Sequence, residues 1–211
     1  MSAVATPAEQ RVILEAVSWE TYERLLAEHN EACGTRFAYD EGMLEIMVVS
    51  AGHEKPNRTL ALLVEVLAEE FGLDVERVGS MTFKREPLRK GFEPDSAFYI
   101  AHAAAIRGRD VDAEVDPAAD LIIEVDITRR SLPRFPIYAA FGVPELWRYD
   151  GSRVWIYRLE GSRYVESESS AALAPLTAAL ATEFLEESRR LRSTDWLRRV
   201  RQWARTHTPS K

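Results

Sequence analysis

The chain carries one cysteine, Cys33, in 211 residues, so no internal disulfide can form, and a lone thiol beside Gly34 shows no metal or nucleophile pattern. No apolar run is long enough to cross a bilayer, and none near the N-terminus resembles a secretory signal. A reducing cytoplasm, with no membrane partner, is the expected setting. Positive charge is also short: 27 Lys and Arg against 34 Asp and Glu leave a net charge of −7. That balance argues against a protein that coats nucleic acid through its overall field, and leaves open a local basic groove. Neither an internal repeat nor a low-complexity linker is evident.

What is present is apolar material, 46% of residues, enough to bury a core. Residues 1–10 read as a flexible tail. From Ser18, a natural N-cap, a helix is expected with Trp19, Tyr22, Leu25 and Leu26 on one face. Phe37 to Asp40 and Met43 to Val48 alternate around Asp40-Glu41-Gly42, the composition of a hairpin. A long helix follows, with Pro56 in its first turn, a stripe of Leu60, Leu63, Val64 and Leu67, and Gly72 as its stop. "VERVGSMTFKRE" and "FEPDSAFYI" supply two or three strands, and residues 101–118 read as a connection with some short helix. "DLIIEVDI" is the strongest buried-strand signal in the chain. A short helix in "RFPIYAAFG", two or three strands around the turn Asp150-Gly151, and two amphipathic helices from Leu176 complete the chain. The expected architecture is a mixed α/β (α+β) core over 11–170 with a helical extension, 171–211, packed on it.

Within "DLIIEVDI", Glu124 and Asp126 interrupt an otherwise apolar strand. Two apart, they point to one face, with Ile123, Val125 and Ile127 on the other. A buried carboxylate must be paired, hydrogen-bonded or on a metal. The ordinary explanation is an exposed face, or a strand end neutralised by Arg129 and Arg130. Asp95, fixed behind Pro94 and preceded by Glu93, offers another. Placed beside Glu124 it would make an oxygen-rich corner suited to Mg²⁺, which takes one or two protein carboxylates and keeps waters for phosphate chemistry.

Pro94-Asp95, then Glu124 in "LIIEV", then "IYAAFGVPELWRYDG" and the strand "VWIYRL" resemble, in that order, the Uma-type family of restriction-endonuclease-like proteins, a branch of the PD-(D/E)XK nuclease superfamily. The likeness runs through most of residues 10–205. It implies a restriction-endonuclease-like central mixed sheet flanked by helices, a metal site at Asp95 and Glu124 taking Mg²⁺ (or Mn²⁺), and endonucleolytic hydrolysis of DNA, with a homodimer as a further implication. Two departures stand out. The superfamily lysine two residues after the second acid is replaced by Asp126. The position four before Tyr138, where the branch carries a lysine, holds Arg134, which can clamp a phosphate but cannot act as a base. Lys84 and Lys90 are stand-ins that no pattern places in the site.

His53 and Asn57 share a face at the start of the long helix, where the resemblance has a recurrent histidine; a water-holding role and simple capping both fit. Glu54 lies on the same first turns. Glu45 reads as a solvated strand residue, with alternation leaving it able to turn toward the site. Trp147, Tyr149, Trp155 and Tyr157 fit core or dimer packing better than base stacking. Arg189, Arg190, Arg192, Arg198, Arg199, Arg201 and Arg205 could track a phosphate backbone, but Glu183, Glu186, Glu187 and Asp195 among them fit a salt-bridged surface at least as well. Two readings stay open: a Mg²⁺-dependent DNA endonuclease with Asp95, Glu124 and Arg134 at its centre, or a non-catalytic relative that binds nucleic acid or assembles.

Overall fold

A computed structural model of the protein describes residues 10–29, 34–48, 51–127 and 132–208. Cys33, Arg129, Arg130 and residues 1–9 of the expected tail lie outside them. In chain order the elements are β1 (Gln10–Leu14), α1 (Trp19–Glu28), β2 (Thr35–Asp40), β3 (Met43–Val48), α2 (Ala51–Phe71), β4 (Glu76–Gly79) and β5 (Phe83–Arg85). Then come β6 (Lys90–Phe92), β7 (Ser96–Tyr99), α3 (Ala103–Ile106), β8 (Leu121–Val125), α4 (Phe135–Phe141) and β9 (Glu145–Tyr149). β10 (Val154–Glu160), β11 (Arg163–Ser167), α5 (Ala178–Ser188) and α6 (Ser193–Thr206) complete it.

The expected hairpin forms, with Asp40 opposite Met43 and both turn residues, Glu41 and Gly42, at positive φ (48° and 103°), the twist that matches flanking strands. It does not stay a hairpin. β1, which the sequence reading missed and which begins at Gln10, adds to β3, while β6 and β5 add beyond β2, giving an antiparallel sheet ordered β1-β3-β2-β6-β5. Glycine is required at position 91, where a Cβ would overlap the Tyr22 phenol. Ser18 caps α1 by accepting the Thr21 N–H, and Trp19 and Tyr22 are buried against Tyr39.

The second sheet is mixed, ordered β11-β10-β9-β8-β7-β4, with β8 and β9 parallel and every other pair antiparallel. The parallel pair is joined through α4, which Gly142 closes at φ 80°. The two strands of "VERVGSMTFKRE", β4 and β5, belong to different sheets. On one face of the mixed sheet α2, α5 and α6 pack Leu63, Leu67, Phe184, Trp196 and Val200 against Ile123, Val125 and Trp147. On the other, α4 sets Ile137 and Tyr138 against Ile122 and Leu146. Both faces are therefore covered, which is why β8 reads as a nearly continuous apolar run. α5 and α6 share the main apolar cluster with α2 and the sheet. Trp147 and Tyr149 are core residues, with Trp155 and Tyr157 half-buried. No helix of the described residues is long and apolar enough to cross a membrane.

Candidate functional site

The site begins with strand register. β7 and β8 pair Ser96 with Ile123, so one step further along the ladder brings Asp95 alongside Glu124 at the carboxyl end of β8. Pro94 fixes the backbone immediately before Asp95. Both acids are buried, 5% and 7% exposed, which removes the exposed-face explanation for Glu124. Asp95 Oδ2 accepts the Val125 N–H at 2.7 Å and lies 2.7 Å from His53 Nε2. Asn57, one turn along α2 from His53, donates to the Asp95 carbonyl at 3.1 Å and accepts from Ser96 Oγ at 2.8 Å. The start of α2 is thus stapled to the strand edge that carries Asp95.

Glu124 is held from the α4 side. The Tyr138 hydroxyl donates to its Oε1 at 2.5 Å and Arg134 Nη1 to its Oε2 at 3.2 Å. Tyr138 and Arg134 are one helical turn apart, so both project from the opening of α4 over β8. Arg134 Nη2 continues to Glu45 Oε1 at 3.5 Å. Glu45 is fully buried, correcting its expected place on a solvated face, and accepts the Leu132 N–H at 2.7 Å and Arg11 Nη1 at 3.0 Å. Arg11 Nη2 reaches Asp126 at 3.5 Å, and Arg148 Nη2 reaches the other oxygen of Asp126 at 2.9 Å. Three carboxylates, Glu124, Glu45 and Asp126, therefore alternate with three guanidinium groups in one connected network, with the Asp95–His53 pair beside it.

Burial pushes the Glu124 carboxyl up to about 7, with Asp95 adding to the rise and Arg134, the Tyr138 hydrogen bond and His53 opposing it. The rise is the cost of burial, which an arginine and a phenol donating to the carboxyl only partly offset. Burial works against the charge of Arg134, but Glu124, Tyr138 and Glu45 outweigh it and hold the guanidinium firmly protonated. Tyr138 is raised by burial and by Glu124, so it remains a donor. The donor chemistry fits a hard divalent cation: two carboxylates on neighbouring strands, each oriented by a separate hydrogen bond, in a buried corner. Among the described residues no three of His, Cys, Asp and Glu form a metal cage, so such an ion would keep most of its waters.

A cleft of about 270 Å³ opens on this network. Glu124, Asp126, Arg134, Tyr138 and Arg148 form its polar side, and Leu132, Pro133 and Phe135 its apolar side. Glu124 and Asp126 share the cleft, as their spacing predicts, whereas Asp95, His53 and Asn57 stand outside its lining. Ile127 lies beyond the end of β8 and is 44% exposed, not packed with Ile123 and Val125. Lys84 pairs with Glu23 at 2.6 Å, and Lys90 with Asp40 and Glu41, and neither lines the cleft. Glu54 pairs with Arg58 on the exposed side of α2. The tail arginines largely pair with acids: Arg192 and Arg198 with Asp195, Arg199 with Glu183 and Glu187, Arg201 and Arg205 with Glu70.

Sequence reasoning missed Arg11, Tyr138 and Arg148. Arg148 had a usable signal, since in "ELWRY" it alternates with Trp147 and Tyr149 and so points away from the main core. Arg11 had none, because β1 was not foreseen.

A mixed sheet with two acids at neighbouring strand ends, covered by a crossover helix that supplies donors to one of them, is the framework of a restriction-endonuclease-like fold. Residues 19–190 match the Uma2 family, described as "putative restriction endonuclease", and the chain belongs to that family. Among solved structures it is similar to "a putative nuclease belonging to DUF820" from Anabaena variabilis ATCC 29413, at 12% identity and a TM-score of 0.52, over 77% of this chain and 97% of that one. At that identity the likeness speaks for the fold. A comparison with curated proteins gives no match.

Proposed function

We propose that the protein is a divalent-metal-dependent endonuclease that hydrolyses DNA phosphodiester bonds, with Asp95 and Glu124 holding Mg²⁺. The observation that carries this reading is the buried pairing of these two acids at neighbouring strand ends, with a single guanidinium, that of Arg134, on Glu124. A bound Mg²⁺ would supply an acidified water and neutralise charge on the scissile phosphate. The chain's own residues do the orienting. His53 and the Val125 amide fix Asp95, Tyr138 and Arg134 fix Glu124, and Asn57 ties α2 to the strand edge. Arg148, on the wall of the cleft, is the cation best placed to meet a phosphate oxygen, since Arg134 is already committed to Glu124 and Glu45.

Incubating supercoiled plasmid with the protein and Mg²⁺ or Mn²⁺ tests the proposal. Nicking that vanishes with EDTA and in both Asp95→Ala and Glu124→Ala is the expected result; equal nicking by those variants would assign the cleavage elsewhere. One observation favours a second reading, a nucleic-acid-binding relative without catalysis: Arg134 already provides Glu124 with a cation. Under that reading, calorimetric titration with Mg²⁺ or Mn²⁺ gives no heat and plasmid stays intact.

A further inference from the structure

The start of α2 has two working sides. One carries His53 and Asn57 toward Asp95; the other forms a bank of a cleft of about 640 Å³ whose opposite bank is the end of α5. Lys55, Arg58, Thr59, Ser188 and Arg189 line it above Leu185. It runs into a second cleft of about 220 Å³ through shared Arg58, Thr59 and Ser188, over Leu62 and Trp196. Among the described residues no carboxylate lines either one. In a chain with a net charge of −7, one groove lined by three cations, two of them paired with acids outside its wall, is the kind of local basic patch that favours an anionic partner.

The cations are available. Lys55 is exposed and has no ion pair among the described residues. Arg58 pairs with Glu54, and Arg189 with Glu186, each at 2.6 Å, but both are exposed pairs within one helix segment, of the weak kind that yields readily to a better anion. Thr59 and Ser188 now donate to backbone carbonyls of their own helices, Lys55 and Leu185, and are free to turn as donors to an incoming oxygen. Position matters as much as charge. Arg189 donates to the Tyr149 hydroxyl at 2.7 Å, and the Tyr149 carbonyl accepts the Asp126 N–H at 2.8 Å. The groove therefore ends at the carboxyl end of β9, on the face covered by α2, α5 and α6, across the sheet from the face that Glu124, Asp126 and Arg148 occupy.

We propose that this α2–α5 groove binds the sugar-phosphate backbone of duplex DNA and leads it to the Asp95–Glu124 site. Lys55 and Arg58 lie about 4.5 Å apart along the helix axis, nearly one turn, with Arg189 facing them across the groove. The apolar floor suits deoxyribose. The destination of the strand rests on the nuclease reading, but the binding itself does not.

The test measures binding without chemistry. Anisotropy of a labelled ~20-base-pair duplex is followed with the full chain in EDTA across a salt series. Combined Lys55→Ala, Arg58→Ala and Arg189→Ala is expected to reduce the slope of log affinity against log salt by about 2 to 3, with each single change contributing about 1. Affinity at ~0.1 M salt should fall at least about 10-fold. Arg192→Ala with Arg198→Ala, on α6 beside Asp195, should leave slope and affinity nearly unchanged. Equal losses in both sets, an unchanged groove variant, or no duplex binding by the wild type would each overturn the proposal. A groove-dependent slope in a protein that never nicks plasmid keeps the groove and removes the hydrolase; wild-type nicking with an unaltered KM in the groove variant does the reverse.

Discussion

Arg148 stands opposite Glu124 in the parallel register of β8 and β9, yet its guanidinium goes to Asp126, two residues further along the chain. A positive charge thus enters that corner from the neighbouring strand. Asp126 holds it at 2.9 Å on the wall of the cleft, with the arginine side chain 35% exposed.

This relation predicts that Arg148→Ala slows plasmid nicking by about 10-fold or more, the usual cost of removing a cation that meets a transferring phosphate. Stability should fall by less than ~1 kcal/mol, because the pair is partly solvated. Arg148→Lys should restore part of the rate. An Arg148→Ala protein that nicks at the wild-type rate would reduce this residue to a partner for Asp126.

Glu124 makes stability depend on pH in a direction opposite to an ordinary salt-bridged acid. Its carboxyl rises from 4.5 to about 7 on folding, chiefly through burial, so the folded state is favoured while the group is protonated. That contribution is complete below pH 4.5 and disappears as pH climbs through about 7, a change on the order of 3 kcal/mol. Denaturant unfolding without divalent metal should show the wild type losing stability between pH 5 and pH 8 in this measure, and Glu124→Gln losing much less. Added Mg²⁺ should recover the wild type at pH 8 and leave Glu124→Gln where it was. A variant that tracks the wild type at every pH would remove Glu124 as the source.

Arg134 spans Glu124 and Glu45 with two different nitrogens. A lysine offers one point-charge ammonium in place of a planar fork with two separate nitrogens, so it cannot keep both contacts in their present geometry. Arg134→Lys should therefore lower stability by about 1 to 3 kcal/mol and slow nicking about 10-fold, through a Glu124 less firmly oriented. Faster nicking would instead identify the arginine as a weakened substitute for lysine.

How much of this was legible in the sequence follows from where the information lies. Strand β8 and the long α2 announced themselves through periodicity and apolar runs, because both are buried along most of their length. Asp95 and Glu124 were visible as acids in places where acids are costly. The five-stranded antiparallel sheet was not, since β5 and β6 have three residues each and take their identity from pairing with each other and with β2, a contact between distant parts of the chain. Glu45 was misread for the same reason: its strand alternates normally, and only β1 on one side and the segment before α4 on the other make its surroundings dry. Charge networks assembled across four strands and a helix leave no local pattern to read.

Tyr138 gives the sharpest separation between positioning and packing. Its ring fills the space between α4 and the sheet against Phe92, and its hydroxyl donates to Glu124 at 2.5 Å. Tyr138→Phe keeps the ring and deletes the donor, so stability should change by only about 1 kcal/mol. The hydrogen bond is one of the influences holding the Glu124 carboxyl down against burial, and without it that carboxyl rises further. Divalent-metal affinity at pH 7 should then weaken by about 10-fold or more, with the pH at which half the affinity is reached moving upward. A residue that only packs would move neither quantity. Calorimetric titration of Mg²⁺ or Mn²⁺ at several pH values reads both at once, and an unshifted profile in Tyr138→Phe would assign the tyrosine to the core alone.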